Sequence, residues 1–218
     1  MTRRFPVFAA TLVTLALTST PAQAAFHLMQ VEQVIGGVGV DAVAQAIQLR
    51  MRVIGQGRVS QARLVVRDAT GRHPVTLIDF TTDVTPAVRG ERILIATSGF
   101  ATHTNPAAVP DFTLVNAIPD TYLAAGSLTF ETNRGLVLWR LSWGGSAYQG
   151  SNRGASFNDD DGNFGPPFAD VLPSMGTEAL LFQGRARAKS TTNADDYAVT
   201  SGPAVFTNSS GDSFVVTP

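Results

Sequence analysis

Acidic and amide side chains are concentrated at one place in this sequence, residues 158–163, which read Asn-Asp-Asp-Asp-Gly-Asn. Asp159, Asp161 and Asn163 stand at alternate positions there, and carboxylate and amide oxygens are ligands that Ca²⁺ prefers. Three adjacent carboxylates repel one another, so such a segment requires either a bound cation or full solvation. The sequence therefore favours a solvated turn, and the alternative is a calcium site with these three residues as its candidate ligands.

The spacing of this acidic segment excludes an EF-hand. Placing Gly162 at the sixth position of such a loop puts Phe157 at the first position, where an aspartate is required. No glutamate follows at the twelfth position either. A calcium site in this segment therefore has to be of another type.

Four aromatic residues share the long polar stretch 144–176 with the acidic segment, namely Tyr148, Phe157, Phe164 and Phe168. Exposed aromatic rings among Asn, Asp and Gly can stack on sugar rings or contact a partner protein. These four residues are therefore the candidate ligand-binding residues of the sequence. The favoured interpretation, however, is that the rings fold back and pin the loop, because large apolar side chains are usually buried.

Other residue types that support catalysis are isolated. His27, His73 and His103 lie far apart in the sequence, and no H-E-x-x-H pair is present. No G-x-S-x-G nucleophile motif occurs, and the chain has no cysteine. The sequence therefore predicts no catalytic residues.

The first 24 residues have the three parts of a secretory signal peptide. Arg3 and Arg4 precede an apolar run over residues 5–17, and Ala22-Gln23-Ala24 supplies small residues before a cleavage point. The run is shorter than the about 20 apolar residues that span a membrane. We therefore expect a signal peptide over 1–24 and an exported mature chain, periplasmic or secreted, with no disulfide bonds.

The composition indicates one globular domain over residues 25–218. Charged residues make up 15% of the 218-residue chain, against about 25% in ordinary soluble domains, and apolar residues make up 44%. Sixteen basic and 17 acidic residues give a net charge of -1, and removal of two arginines with the leader makes the mature chain more acidic. Since nucleic-acid binders need a basic excess, we expect no nucleic-acid partner. No later stretch has the length of a membrane span.

Alternation of apolar and polar residues predicts antiparallel strands. Ile47, Leu49, Met51 and Val53 alternate with polar residues, and 62–80 and 128–143 each form a hairpin pattern around a turn. No apolar pattern of helical period extends over eleven residues after the signal peptide. The fold class is therefore an all-β antiparallel sandwich with two long loops, 97–120 and 144–176.

Several segments, taken in order, resemble the lamin tail domain. Residues 45–49 (Gln-Ala-Ile-Gln-Leu) resemble its "FIEL" strand, and residues 92–96 (Arg-Ile-Leu-Ile-Ala) resemble its "YLLIA" strand. Residues 118–126 are similar to its Ile-Pro turn, and residues 128–145, with Asn-Arg-Gly at the bend and Ser-Trp-Gly-Gly at the end, are similar to its closing hairpin. Two further segments, 193–197 and 207–211, resemble the end of bacterial secreted versions.

This resemblance implies an immunoglobulin-like β-sandwich over residues 25–218 that acts as a binding or structural module without catalytic residues. Together with the leader, it predicts an exported non-catalytic protein that recognises a protein, a glycan or a surface component. The alternative function is an exported hydrolase that uses carboxylates of the 144–176 loop, with Ca²⁺ as a possible cofactor. No other cofactor is expected.

Overall fold

The computed structural model describes residues 25–218, and most of the regular structure in this range is β-strand. The predicted signal peptide, residues 1–24, lies outside the described residues. Within the described range, no helix is both long and apolar enough to cross a membrane. The helices α1 (Asp120–Leu123) and α2 (Asn193–Asp196) are single turns. The predicted all-β class is therefore confirmed.

Thirteen strands are present in residues 25–218. In chain order they are β1 (Met29–Ile35), β2 (Ala46–Met51), β3 (Ala62–Arg67), β4 (Val75–Asp79), β5 (Arg92–Ala96), β6 (Thr104–Asn105), β7 (Phe112–Thr113), β8 (Gly126–Thr132), β9 (Val137–Trp143), β10 (Leu180–Phe182), β11 (Tyr197–Val199), β12 (Val205–Thr207) and β13 (Ser213–Val216). Short 3₁₀ turns lie at Val59–Gln61, Phe100–His103 and Gly145–Ala147. Both predicted hairpins are confirmed, as β3–β4 and β8–β9.

The strands form three sheets. The central sheet has the order β11-β10-β1-β2-β5-β7, and the front sheet has the order β4-β3-β8-β9. The small sheet has the order β12-β13-β6. Neighbouring strands are antiparallel except for β5 and β7, which run parallel. The central and front sheets pack face to face and form the predicted sandwich.

The interior between the central and front sheets is filled by alternate residues of their strands. In β2, Ile47, Leu49 and Met51 are buried in this core, as their period-two spacing predicts. In β9, Trp139 and Trp143 are buried in the same core. Burial of one such side chain stabilises the fold by about 1.5–3 kcal/mol, so the core holds the chain together without disulfides.

The small sheet covers the outer face of the central sheet and forms a third layer that the sequence pattern did not predict. Phe206 of the small sheet is buried with Leu94 and Ala96 of β5 in a second core. The other face of β5 places Ile93 and Ile95 in the main core. Because β5 is apolar on both faces, each face needs a covering layer. This requirement explains the third sheet.

Candidate functional site

The 144–176 loop follows the edge of the front sheet. The N–H of Ala155 donates to the carbonyl of Val137 over 2.7 Å, and the N–H of Phe168 donates to the carbonyl of Ser142 over 2.9 Å. Val137 and Ser142 belong to β9, the edge strand of that sheet. The loop therefore pairs with backbone groups that an edge strand would otherwise leave open.

Three of the four candidate aromatic residues are buried, as expected if the rings fold back and pin the loop. Phe164 is fully buried with its ring 5.3 Å from that of Trp139, and Phe168 is buried in the same core. Tyr148 is buried as well, and its hydroxyl donates to the carbonyl of Ser151 over 3.0 Å. Since the loop backbone is held against β9, these rings turn inward and anchor the loop.

Phe157 is the member of the four that reaches the surface, with 46% of its area exposed. Its ring lies 5.0 Å from the ring of His27, and the His27 ring stacks on Phe26 at 4.5 Å. Phe26 in turn is buried and contacts Phe130 edge-on in the main core. The three rings therefore form a row, called the aromatic row below, that runs from the core to the surface at one end of the sandwich.

Two cavities adjoin across the aromatic row. The first, of about 520 Å³, is lined by Phe26 and His27 together with polar residues that include Asn133 and Arg134. The second, of about 270 Å³, is lined by Phe157 and by three cationic side chains described below. Because His27 borders one cavity and Phe157 borders the other, the row separates two neighbouring concave surfaces.

A basic stretch, residues 185–189, forms one wall of the second cavity. It reads Arg-Ala-Arg-Ala-Lys, and the three cationic side chains are exposed while the two alanines are partly buried. Arg187 and Lys189 line the cavity. Ala188 packs against the main core, which directs the cationic side chains at alternate positions toward solvent.

Arg52 holds this basic stretch in place. Its guanidinium donates to the carbonyl of Ala186 over 3.0 Å and to the carbonyl of Ala188. It also donates to the backbone carbonyl and the side-chain oxygen of Asn158, over 2.7 and 2.9 Å. Burial lowers the pKa of Arg52 from its ordinary value, although the nearby Asp159 carboxylate opposes that shift. A single buried cation therefore joins the segment that carries Phe157 to the basic stretch.

The acidic segment contributes hydrogen bonds to the fold. Asp159 is buried, and its Oδ2 accepts from the N–H and the hydroxyl of Thr191 over 2.7 and 2.9 Å. The Oδ1 of Asp161 accepts from the N–H of Asn163 over 2.8 Å. Hydrogen bonding to the Asp159 side chain and to that N–H lowers the pKa of Asp161. Gly162, at φ 64°, turns the chain between them.

The structure does not place these acidic residues as a metal centre. In residues 25–218 no group of three or more His, Asp or Glu side chains is arranged to hold a metal ion. Asp159 and Asp161 already accept hydrogen bonds from the chain, and Asn163 is exposed. The calcium site stays a prediction for these three residues, and the observed arrangement is a hydrogen-bonded turn.

Two of the three histidines lie away from the aromatic row, each beside one aspartate. His73 is exposed, and its Nδ1 lies 2.6 Å from Oδ2 of Asp68, a hydrogen bond that lowers the pKa of Asp68. The Nε2 of His103 lies 3.2 Å from Oδ2 of Asp41. Neither pair shares a cavity with Phe157.

Arg52, Arg187 and Lys189 are residues of the site that the sequence pattern did not single out. The alternation of Arg, Ala and Lys over 185–189 carried a signal for an extended cationic edge. The sequence held no such signal for Arg52, because Arg50 and Arg52 look alike at alternate positions of the same segment. In the structure, Arg50 bonds to Glu32 instead. Only the folded chain shows which of the two faces the cavity.

Comparisons with protein-family models, with curated proteins and with solved structures found no match for this chain.

Proposed function

We propose that this chain is an exported, non-catalytic binding module whose ligand is a glycan of a cell surface. The observation that carries this proposal is the exposed ring of Phe157, seated on His27 between two adjoining cavities. A sugar ring presents an apolar face to an aromatic ring and hydroxyl groups to its sides. An aromatic row flanked by polar concave surfaces fits both features.

The size of the cavities favours a glycan over a protein partner. Stable protein interfaces bury about 800 Å² on each partner and are broadly flat, whereas small ligands occupy concave sites with a few polar groups. Cavities of about 270 and 520 Å³ hold single units of a chain rather than a protein surface. Asn133 and Arg134, on the turn between β8 and β9, supply polar groups beside the first cavity.

Two carboxylates of the 144–176 loop already accept hydrogen bonds within the protein, which supports binding rather than hydrolysis. A glycoside hydrolase uses two carboxyl groups that face the scissile bond. In the acidic segment, Asp159 is buried against Thr191, and Asp161 accepts from the backbone of Asn163. Neither residue lines a cavity beside the aromatic row.

A glycan array and cell-wall fractions test this proposal with the mature chain, residues 25–218. We expect retention on a subset of glycans, and at least about a tenfold loss of affinity for Phe157→Ala, because the variant removes the stacking surface. Met175→Ala is the matched control, since Met175 is 84% exposed and lines neither cavity. Uniform lack of retention, or equal binding by Phe157→Ala and wild type, would contradict the proposal.

We also propose that the module is a divergent relative of the lamin tail domain. In support, residues 46–49 of the first segment and residues 92–96 lie on the adjacent strands β2 and β5, and residues 128–143 lie in the hairpin β8–β9. A sequence profile built from close homologues of this chain tests the relationship. The family profile should align with it across all three segments in the same order.

Export is tested by N-terminal sequencing of the protein recovered outside the cytoplasm. We expect Ala25 as the first residue, because the predicted cleavage point follows Ala24. Recovery of a chain that retains residues 1–24 would contradict the proposed signal peptide.

A further inference from the structure

The cavity beside Phe157 has an unusual charge for this protein. Its lining residues are Leu28, Arg52, Val53, Phe157, Arg187 and Lys189, so three are cationic and none is acidic. The full chain carries a net charge of -1. The lining of this cavity is therefore cationic, although the Asp159 and Asp160 carboxylates lie close enough to interact with Arg52.

The cationic groups of the cavity have different roles. Arg52 uses four of its five guanidinium N–H donors on Asn158, Ala186 and Ala188, so it contributes mainly charge and position. Among residues 25–218, no carboxylate lies within salt-bridge distance of Arg187. Arg187 is therefore the principal donor open to an anion.

Lys189 is a second donor with a weak internal partner. Its Nζ lies 3.4 Å from Oδ1 of Asp160, with the two side chains 63% and 69% exposed. An exposed pair of this kind contributes little to stability, because water screens it. A ligand carboxylate can therefore compete with Asp160 for the Lys189 ammonium, and the backbone of Lys189 stays fixed because its carbonyl accepts from the N–H of Asp160 over 2.6 Å.

We propose that this cavity binds a carboxylate-bearing sugar unit of an acidic polysaccharide, with the sugar ring on Phe157 and the carboxylate on Arg187 and Lys189. This inference rests on the proposed glycan-binding function and names the class of glycan. A guanidinium binds a carboxylate through two parallel hydrogen bonds, and an ammonium adds a point charge. The volume of about 270 Å³ admits one unit of the chain at a time.

Binding of the mature chain to polygalacturonate, compared with the same polymer fully methyl-esterified, tests this assignment. The two probes differ in the charge on the carboxyl group, so a site for carboxylates discriminates between them. We expect polygalacturonate to bind at least about tenfold more tightly, and its affinity to fall as salt rises from low to physiological concentration.

The double variant Arg187→Ala, Lys189→Ala tests whether binding depends on the cations of this cavity or on positive charge anywhere in the basic stretch. We expect it to lose at least about tenfold in affinity for polygalacturonate. Arg185→Ala is the matched control, because Arg185 is an exposed cation of the same basic stretch that does not line the cavity. Circular dichroism spectra that match the wild type establish that each variant is folded, as expected for exposed side chains.

The possible results distinguish this inference from the function on which it rests. Equal binding of both polymers with loss in Phe157→Ala overturns the carboxylate assignment and leaves glycan binding standing. Absence of binding to any glycan overturns both. Equal or tighter binding of dextran sulfate or single-stranded DNA, with equal losses in Arg185→Ala, also overturns the assignment, because it shows an unspecific cationic surface.

Discussion

Trp139 and Tyr197 join the two main sheets through one hydrogen bond. The indole Nε1 of Trp139, on β9 of the front sheet, donates to the hydroxyl of Tyr197 over 2.9 Å. The Tyr197 hydroxyl, on β11 of the central sheet, donates in turn to the carbonyl of Val31 on β1. All polar atoms of this connection lie in the core, so it fixes how β9 packs on the central sheet beside the 144–176 loop.

Replacing Tyr197 by Phe should lower the free energy of unfolding by about 1–3 kcal/mol. The variant keeps the ring but leaves the Trp139 N–H and the Val31 carbonyl without a partner in a dry environment. Urea denaturation followed by tryptophan fluorescence measures the change. Tyr122→Phe is the control, because the Tyr122 hydroxyl bonds to the carbonyl of His73 at the surface, and we expect a smaller loss there. Equal losses in the two variants would contradict the structural role given to Tyr197.

Alkaline pH should destabilise the protein through the same residue. Burial raises the pKa of Tyr197 above its ordinary value of about 10, so above that pH the unfolded chain releases a proton that the folded chain retains. The unfolded state then binds fewer protons, and stability falls as pH rises, by about 1.4 kcal/mol per pH unit for one group. The free energy of unfolding, measured by urea denaturation from about pH 9 to 12, should fall with this contribution in the wild type. In Tyr197→Phe the slope should be smaller by about 1.4 kcal/mol per pH unit. An unchanged slope in the variant would rule out Tyr197 as its source.

Replacing Arg52 by Lys should release the two segments that it joins. A lysine cannot bond to Asn158, Ala186 and Ala188 together, because it lacks the planar group with several donors. Hydrogen–deuterium exchange should therefore increase over residues 156–162 and 184–190, while β2 and β8 stay protected. Arg89→Lys, at an exposed arginine, is the control and should leave exchange unchanged. Equal exchange over these two segments in the Arg52 variant and the wild type would contradict the proposal that Arg52 joins them.

Replacing Asp159 by Ala should destabilise the fold more than the same change at its neighbour. Asp159 is buried and accepts two hydrogen bonds from Thr191, so its loss should reduce the free energy of unfolding by about 1–3 kcal/mol. Asp160→Ala should change stability by less than about 1 kcal/mol, since Asp160 makes one exposed ion pair with Lys189. Thermal and urea denaturation of both variants give the comparison, and a reversed order would show that the acidic segment is not anchored as described.

A thermal melt with Ca²⁺ and with a chelator tests the predicted calcium site. Saturating Ca²⁺ at a hundredfold excess over its dissociation constant would stabilise a binding protein by about 2.7 kcal/mol. We expect equal melting temperatures, because Asp159 and Asp161 already accept hydrogen bonds from Thr191 and Asn163. A melting temperature that rises with Ca²⁺ in the wild type but not in Asp161→Asn would establish the site.

Strand positions were the most predictable part of this fold. Period-two alternation identified Ile47, Leu49 and Met51 as core residues, since one face of β2 is apolar and the other polar. The short strands β6, β7, β11 and β12 were missed, because two or three residues are too few to show a period. Their existence depends on the neighbouring strands that pair with them.

The candidate site was predictable only in part. Composition singled out the 144–176 loop and its aromatic residues, but local sequence does not distinguish an exposed ring such as Phe157 from a buried one such as Phe164. The partners of Phe157 come from distant parts of the chain, with His27 before β1 and Arg187 after β10. No spacing rule within one segment connects such residues.

By itself, the sequence determined the class of structure, because alternating side chains and frequent turn residues allow strands and exclude long helices after residue 25. It also determined that the domain is held by apolar burial without disulfide bonds, since no cysteine is present. Tertiary structure alone decided which face of β5 lies under the small sheet, which rings of the loop turn inward, and which cations meet at the cavity beside Phe157. These outcomes depend on contacts between separate elements, some of them between residues more than one hundred positions apart, and such contacts are decided by packing and burial of the whole chain rather than by local preference.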